Sequence, residues 1–307
     1  MSLGSSPLLS KIKSVFPWIL FSSLLVGGLV TSGFGQNEDK SRFQSALETL
    51  SHVPTGLGLM KKAEAAWKFK NHQELLSIFQ WSNVSRTDAV LTRHYDPKTG
   101  QEERDRQVTI YIREYQPQED LVLDIAHELI HASARPTWDP YDPSLTPGKY
   151  IWTAIEGEGG EVEAVIAECQ VGFELGGQSS SSLKRCESYL KSASAKSVHV
   201  IERQIESEKV RQDFYRVGRW SAELSRNLGS EVKLFPLLSP EEPKLYSSTG
   251  HAPYPIALYE EFLDITQIAC DNSRKRLSAV EGRVPSSSSF LISDFLTHRC
   301  PGSAGSK

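Results

Sequence analysis

Within the segment Asp124-Ile-Ala-His127-Glu128-Leu-Ile-His131-Ala132, two imidazoles lie four residues apart with a carboxylate beside the first. On an α-helix, residues separated by four share one face, so His127 and His131 can grip one metal ion together. Glu128 then stands beside the position that the protein ligands leave open, where a general base for a water molecule belongs. The spacing predicts a hydrolytic metal centre with Glu128 as catalytic base, Zn2+ as cofactor and a peptide or protein as substrate. The plainer reading is two surface histidines on an amphipathic helix.

Two histidines alone leave such an ion short of ligands, because catalytic zinc sites take three from the protein. A third histidine further along the same helix is ruled out, since positions 134–137 read Ala-Arg-Pro-Thr. The acidic run 153–172 offers Glu156, Glu158, Glu161, Glu163 and Glu168. Advancing about 100° per residue from Glu161 places Val162, Val165, Ile166 and Cys169 on one flank and Ala164, Ala167 and Val171 on the other. Glu161 and Glu168 lie between these flanks on one side, Glu163 and Gln170 on the other. Small Ala164 and Ala167 beside Glu161 would let another helix approach, which favours Glu161 as the third metal ligand. Glu158 is the second choice, because Gly159-Gly160 after it is poor helix interior. Glu168 is read as a supporting group or an exposed one. A solvated acidic helix start, favoured by the helix dipole, is the bland reading of the whole run.

A strand, a helix carrying His-Glu-Leu-Ile-His and a downstream helix carrying Glu-x-x-Ala resemble the zincin metallopeptidases, gluzincin branch. The resemblance covers residues 105–175. It implies His127, His131 and Glu161 as zinc ligands and Glu128 as base. One position departs: several gluzincins follow Glu-x-x-Ala with Asp, and Val165 stands there. The group that would orient a ligand histidine must then be a backbone carbonyl or another carboxylate. Two other functions stand beside it: a zinc amidase acting on cell-wall peptides, which the motif does not separate from a protease, and a non-catalytic binding protein on a zincin scaffold, against which the intact motif speaks. His251 and Tyr254, just ahead of an apolar-periodic helix at 255–269, are candidates to stabilise an oxyanion, set against the plainer reading of solvated loop residues.

The elements that must position these groups follow from periodicity and breakers. Helices are expected at 41–53 and 60–69, and 75–84 reads as helix end or strand. Residues 89–95 and 107–114 read as two strands around the turn 96–100, with a possible charged extension at 102–106. A helix over 121–133 follows, with Glu119 and Asp120 in its lead-in and Pro136 beyond its end. On its wheel Leu121, Val122, Ile125, Leu129 and Ala132 form a core face opposite the two histidines. Residues 138–150, with three prolines, read as loop. Charged helices are expected at 198–210 and 212–228 after a polar joint at 179–182, and 285–307 reads as frayed. The fold class is therefore α+β, mainly helical, a zincin-like core with a small antiparallel sheet packed on the histidine helix and a helical C-terminal region.

Composition bounds the rest. At 307 residues and a formal net charge of −4, the chain can bury a large core, and no long basic run points to nucleic acid. The first 35 residues place Lys11 and Lys13 before an apolar run and then small residues, the order of a secretory signal peptide with cleavage after Gly35. An uncleaved segment would be the only membrane contact, and it is short for a span. The expected organisation is a signal at 1–35, a catalytic core at 36–178 and a C-terminal region at 179–307 completing the cleft. The expected location is secreted or periplasmic. There Cys169, Cys186, Cys270 and Cys300 can form two disulfides, with sequence neighbours as the favoured pairs.

Overall fold

The computed structural model describes residues 10–15, 35–95, 102–135, 138–176, 181–191, 204–215, 254–280 and 287–300. The fold is mainly helical with one small mixed sheet. In chain order β1 is Ser10–Val15, and helices α1 (Gly35–Ser51), α2 (Pro54–Trp67) and α3 (His72–Leu75) follow. Next come β2 (Phe79–Ser82), β3 (Arg86–Tyr95), β4 (Glu102–Arg113), α4 (Gln118–Ser133), α5 (Pro147–Glu156) and α6 (Glu161–Glu174). The remaining helices are α7 (Ser181–Ser188), α8 (Ser207–Tyr215), α9 (Tyr254–Val280) and α10 (Ser287–Arg299).

Strand β4 lies between β3, antiparallel to it, and β2, parallel to it, while β1 runs along the outer edge of β3. The expected hairpin is present, and the charged extension is part of β4. The sheet is mixed rather than antiparallel because the 75–84 run supplies β2. Residues 83–85 reverse the chain between β2 and β3, so a strand antiparallel to β3 must lie parallel to β2. Strand β1 falls inside the stretch read as a signal peptide, and its apolar part at 16–34 lies outside the described residues. Among the described residues no helix is long and apolar enough to cross a membrane.

Helix α4 is the centre of the molecule. It packs on α1, α2 and α6 and on strands β3 and β4. Leu121, Val122, Ile125, Leu129 and Ala132 are buried as the wheel requires, but so are Leu123, Ala126 and Ile130 on other faces. The helix is therefore enclosed rather than amphipathic at a surface, which is what apolar residues around the full circumference produce. Its last carbonyls find side-chain donors: Trp67 Nε1 donates to Ala132 O at 2.8 Å and Arg106 Nη1 to Ala134 O at 2.8 Å. The Arg106 guanidinium also lies over the Trp67 ring. Thus β4's charged extension closes the end of α4. At the other side of α6, Glu174 accepts the Thr55 backbone N–H at 2.9 Å and so ties the end of α6 to the start of α2.

Proline opens helices in this fold. Pro54 and Pro147 each stand in the first turn of a helix, where the missing N–H has no partner to lose. Residues 147–150 are consequently helix, not loop. The C-terminal stretch read as frayed contains α10, whose Phe295 and Leu296 are buried and whose end is pinned by a Cys270–Cys300 disulfide to α9. Cys169–Cys186 joins α6 to α7. Both are the expected pairs, and two disulfides fit an extracellular location. Helix α8 runs across the break expected between the two charged helices. Residues 204–206 before it are not helical because Ile205 bridges to Leu190, and 198–203 and 216–228 lie outside the described residues. Helix α7 begins within the expected polar joint.

Helix α9 packs against α5 and buries Glu261 beside Tyr150. Burial pushes the Glu261 carboxyl up to about 8, and Asp264 and Asp88 add to this while the Tyr150 hydroxyl opposes it. A carboxyl raised in the folded state contributes stability that is complete below its unfolded pKa and is lost as pH rises through the folded one. Glu261→Gln cannot ionise. Its melting temperature relative to wild type should therefore climb from pH 4.5 to about pH 8 and level off above that, and a difference independent of pH in thermal unfolding would contradict this.

Candidate metal centre

Helix α4 presents His127 and His131 from successive turns, their rings edge-on with centroids 5.0 Å apart. Helix α6 faces them. Glu161, its first residue, places Oε2 3.2 Å from His127 Nε2 and Oε1 3.8 Å from His131 Nε2. One ligand atom from each of the three residues lies within 4.8 Å of the others. Two ligands bound at about 2.0–2.1 Å to a tetrahedral ion sit about 3.3–3.4 Å apart. The observed separations, each to its own oxygen of Glu161, are of that order, and His127, His131 and Glu161 form a group that could hold a metal ion.

The far side of each ring is also held. His131 Nδ1 lies 2.8 Å from the Gly159 carbonyl. A carbonyl only accepts, so Nδ1 carries the hydrogen and Nε2 offers its lone pair on the Glu161 side. His127 Nδ1 lies 3.1 Å from Glu168 Oε2. Burial works against charge on both rings. For His127 the Glu161 and Glu168 carboxylates outweigh burial and raise its pKa well above the usual histidine range, whereas burial prevails for His131 and lowers it.

A glycine turn makes this possible. Gly159 has φ +72°, and a Cβ there would meet the Ala134 Cβ at 2.0 Å. The backbone must therefore lie against the end of α4, where its carbonyl reaches His131, and only glycine fits both the space and the dihedral. Glu163, three residues past the N-cap Gly160, reaches back to accept the Gly159 N–H at 2.8 Å. It also pairs with Lys62 at 3.1 Å. The other acidic candidates are turned elsewhere. Glu158 has a side chain 67% exposed beside Lys62, and Glu156 pairs with Arg211. Of the expected third ligands, it is Glu161 that the turn brings to the histidines.

Glu128 is buried next to this group and accepts a hydrogen bond from Thr87 Oγ1 at 2.7 Å. The same hydroxyl lies 3.1 Å from the Glu128 carbonyl. Burial pushes the Glu128 carboxyl up to about 8, with His127 and Thr87 opposing. Sequence reasoning begins strand β3 at residue 89 and so misses Thr87. An inward position two residues before buried Ala89 is the available signal. Ser85 is missed too: it accepts the Arg113 N–H at 3.0 Å and donates to Asp124, one turn before His127. His251 lies outside the described residues. Tyr254 is the first residue of α9, and its side chain is likewise not described.

Two imidazoles are thus surrounded by Glu128, Glu161 and Glu168, all buried. A cation held by His127, His131 and Glu161 would compensate these carboxylates. Comparison with protein-family models, with curated protein sequences and with solved structures gave no match. Because Gly159 combines a left-handed φ with a closed space, Gly159→Ala should destabilise the fold by more than about 1 kcal/mol. It should also weaken divalent-metal binding through His131. Thermal unfolding and a metal titration of the same preparation check both effects.

Proposed function

We propose that this protein is an exported zinc-dependent metallopeptidase of the zincin type, with His127, His131 and Glu161 as zinc ligands and Glu128 as general base. The observation that carries the proposal is the convergence of both Nε2 atoms and the Glu161 carboxylate beside a buried glutamate in the same helix turn. Two imidazoles and one carboxylate are a donor set that suits zinc and disfavours magnesium or calcium, which prefer oxygen throughout. A leader at 1–35 cleaved after Gly35 would supply the export route and take β1 from the edge of the sheet, and the two disulfides suit the destination.

Zinc, when bound, supplies Lewis acidity for polarising a substrate carbonyl and for acidifying water. The chain's own residues do the rest. Glu128 takes the proton of the attacking water as it adds to the scissile carbonyl, then returns it to the leaving amine nitrogen. Thr87 keeps the Glu128 carboxyl in one rotamer, so the base stays next to the histidines. Burial of the centre keeps bulk water from competing for these contacts.

Glu128→Gln should lower peptide hydrolysis by about 10²–10⁴-fold and leave bound zinc unchanged. His127→Ala, His131→Ala and Glu161→Ala should lose the metal, and Glu158→Ala should keep it. Metal analysis with a peptidase assay on a mixed peptide library decides the matter. Full hydrolysis by Glu128→Gln, or a wild-type protein without stoichiometric metal, would sink the proposal.

A further inference from the structure

We infer that Glu168 is the positioning residue of the metal centre, holding His127 by Nδ1 so that Nε2 is aimed at the ion. The inference rests on the zinc reading above and concerns how the ligand is held. Glu161 and Glu168 are two turns apart on one face of α6, about 10.5 Å along its axis. Between them on that face stand Ala164 and Val165, both buried and apolar, one turn from each carboxylate. No polar contact to His127 can come from that middle turn. The contact comes instead from the next one, where Glu168 Oε2 lies 3.1 Å from His127 Nδ1.

The His127 ring is therefore gripped at both nitrogens by carboxylates of one helix, at 3.2 Å and 3.1 Å. Swinging the ring breaks one contact or both. His131 is held differently, by the neutral carbonyl of Gly159. A charged acceptor behind an imidazole strengthens its hydrogen bond and makes the opposite nitrogen a better donor to a metal than a carbonyl does. The two ligand histidines are consequently unequal, and His127 depends on Glu168. Burial of Glu168 supports this role, since a carboxylate is costly to hold out of water without such a bond.

Zinc affinity should be measured by competition with a chromophoric chelator for wild type, Glu168→Ala, Glu168→Gln and Glu168→Asp. Circular dichroism and melting temperature would confirm folding. Glu168→Ala should bind zinc about 10–100-fold more weakly. Glu168→Gln keeps an acceptor oxygen without charge and should fall between it and wild type, and Glu168→Asp should recover part of the loss. In the zinc-loaded proteins, the His127 Nδ1–H proton resonance should shift in Glu168→Gln while that of His131 stays fixed. A purely packing role would move neither resonance. Wild-type affinity in both Glu168→Ala and Glu168→Gln, with an unmoved His127 resonance, overturns the inference and leaves the zinc centre standing. A wild-type protein that binds no zinc overturns the proposed function, and the inference with it.

Discussion

Helices α4 and α6 lie against each other with Ala164 and Val165 between Glu161 and Glu168 at the contact. The small alanine keeps α6 near enough for both glutamates to reach the His127 ring. Most other features of the molecule serve that apposition. Trp67 and Arg106 close the carboxyl end of α4, Glu174 anchors the end of α6 to α2, and the disulfide at Cys169 ties α6 to α7. Strand β3 contributes through Thr87, which fixes Glu128 from the sheet side.

The second constraint is electrostatic. Three carboxyl groups and the His131 imidazole are buried within one small volume, with His127 half-buried at its edge. Uncompensated, such a cluster would cost several kcal/mol per charge, more than a marginally stable fold tolerates for no return. Hydrogen bonds from Thr87 to Glu128 and from His131 to Gly159, together with the ion pairs at His127, offset part of that cost. A bound cation would offset the remainder. The side chains of this group are set by helix packing rather than by mobile loops.

Much of this is legible in the order of the residues. The pair His127 and His131 follows from helical spacing alone, the preference for Glu161 from the small residues beside it, and both disulfides from proximity in sequence. Elsewhere local rules mislead. Three prolines at 138–150 read as loop, yet Pro147 starts α5, because proline is as much at home in a first turn as in a break. The α4 wheel suggests one core face, but α6 covers the histidine face as well. Burial there depends on a partner whose position no window of α4 reports.

What the sequence alone determined about this protein is the chemistry within reach of one helix: a pair of imidazoles, an adjacent carboxylate and a core stripe, all set by 3.6 residues per turn. It favoured Glu161 over four other downstream glutamates without placing it at the histidines, and it did not say what stands behind each ring. Only the tertiary structure decided those points, through the Gly159 turn, the approach of α6 and the reach of Thr87 from β3. Local periodicity fixes the face on which a side chain stands. The partner across that face is set by packing between segments some thirty to forty residues apart, and no local pattern encodes it.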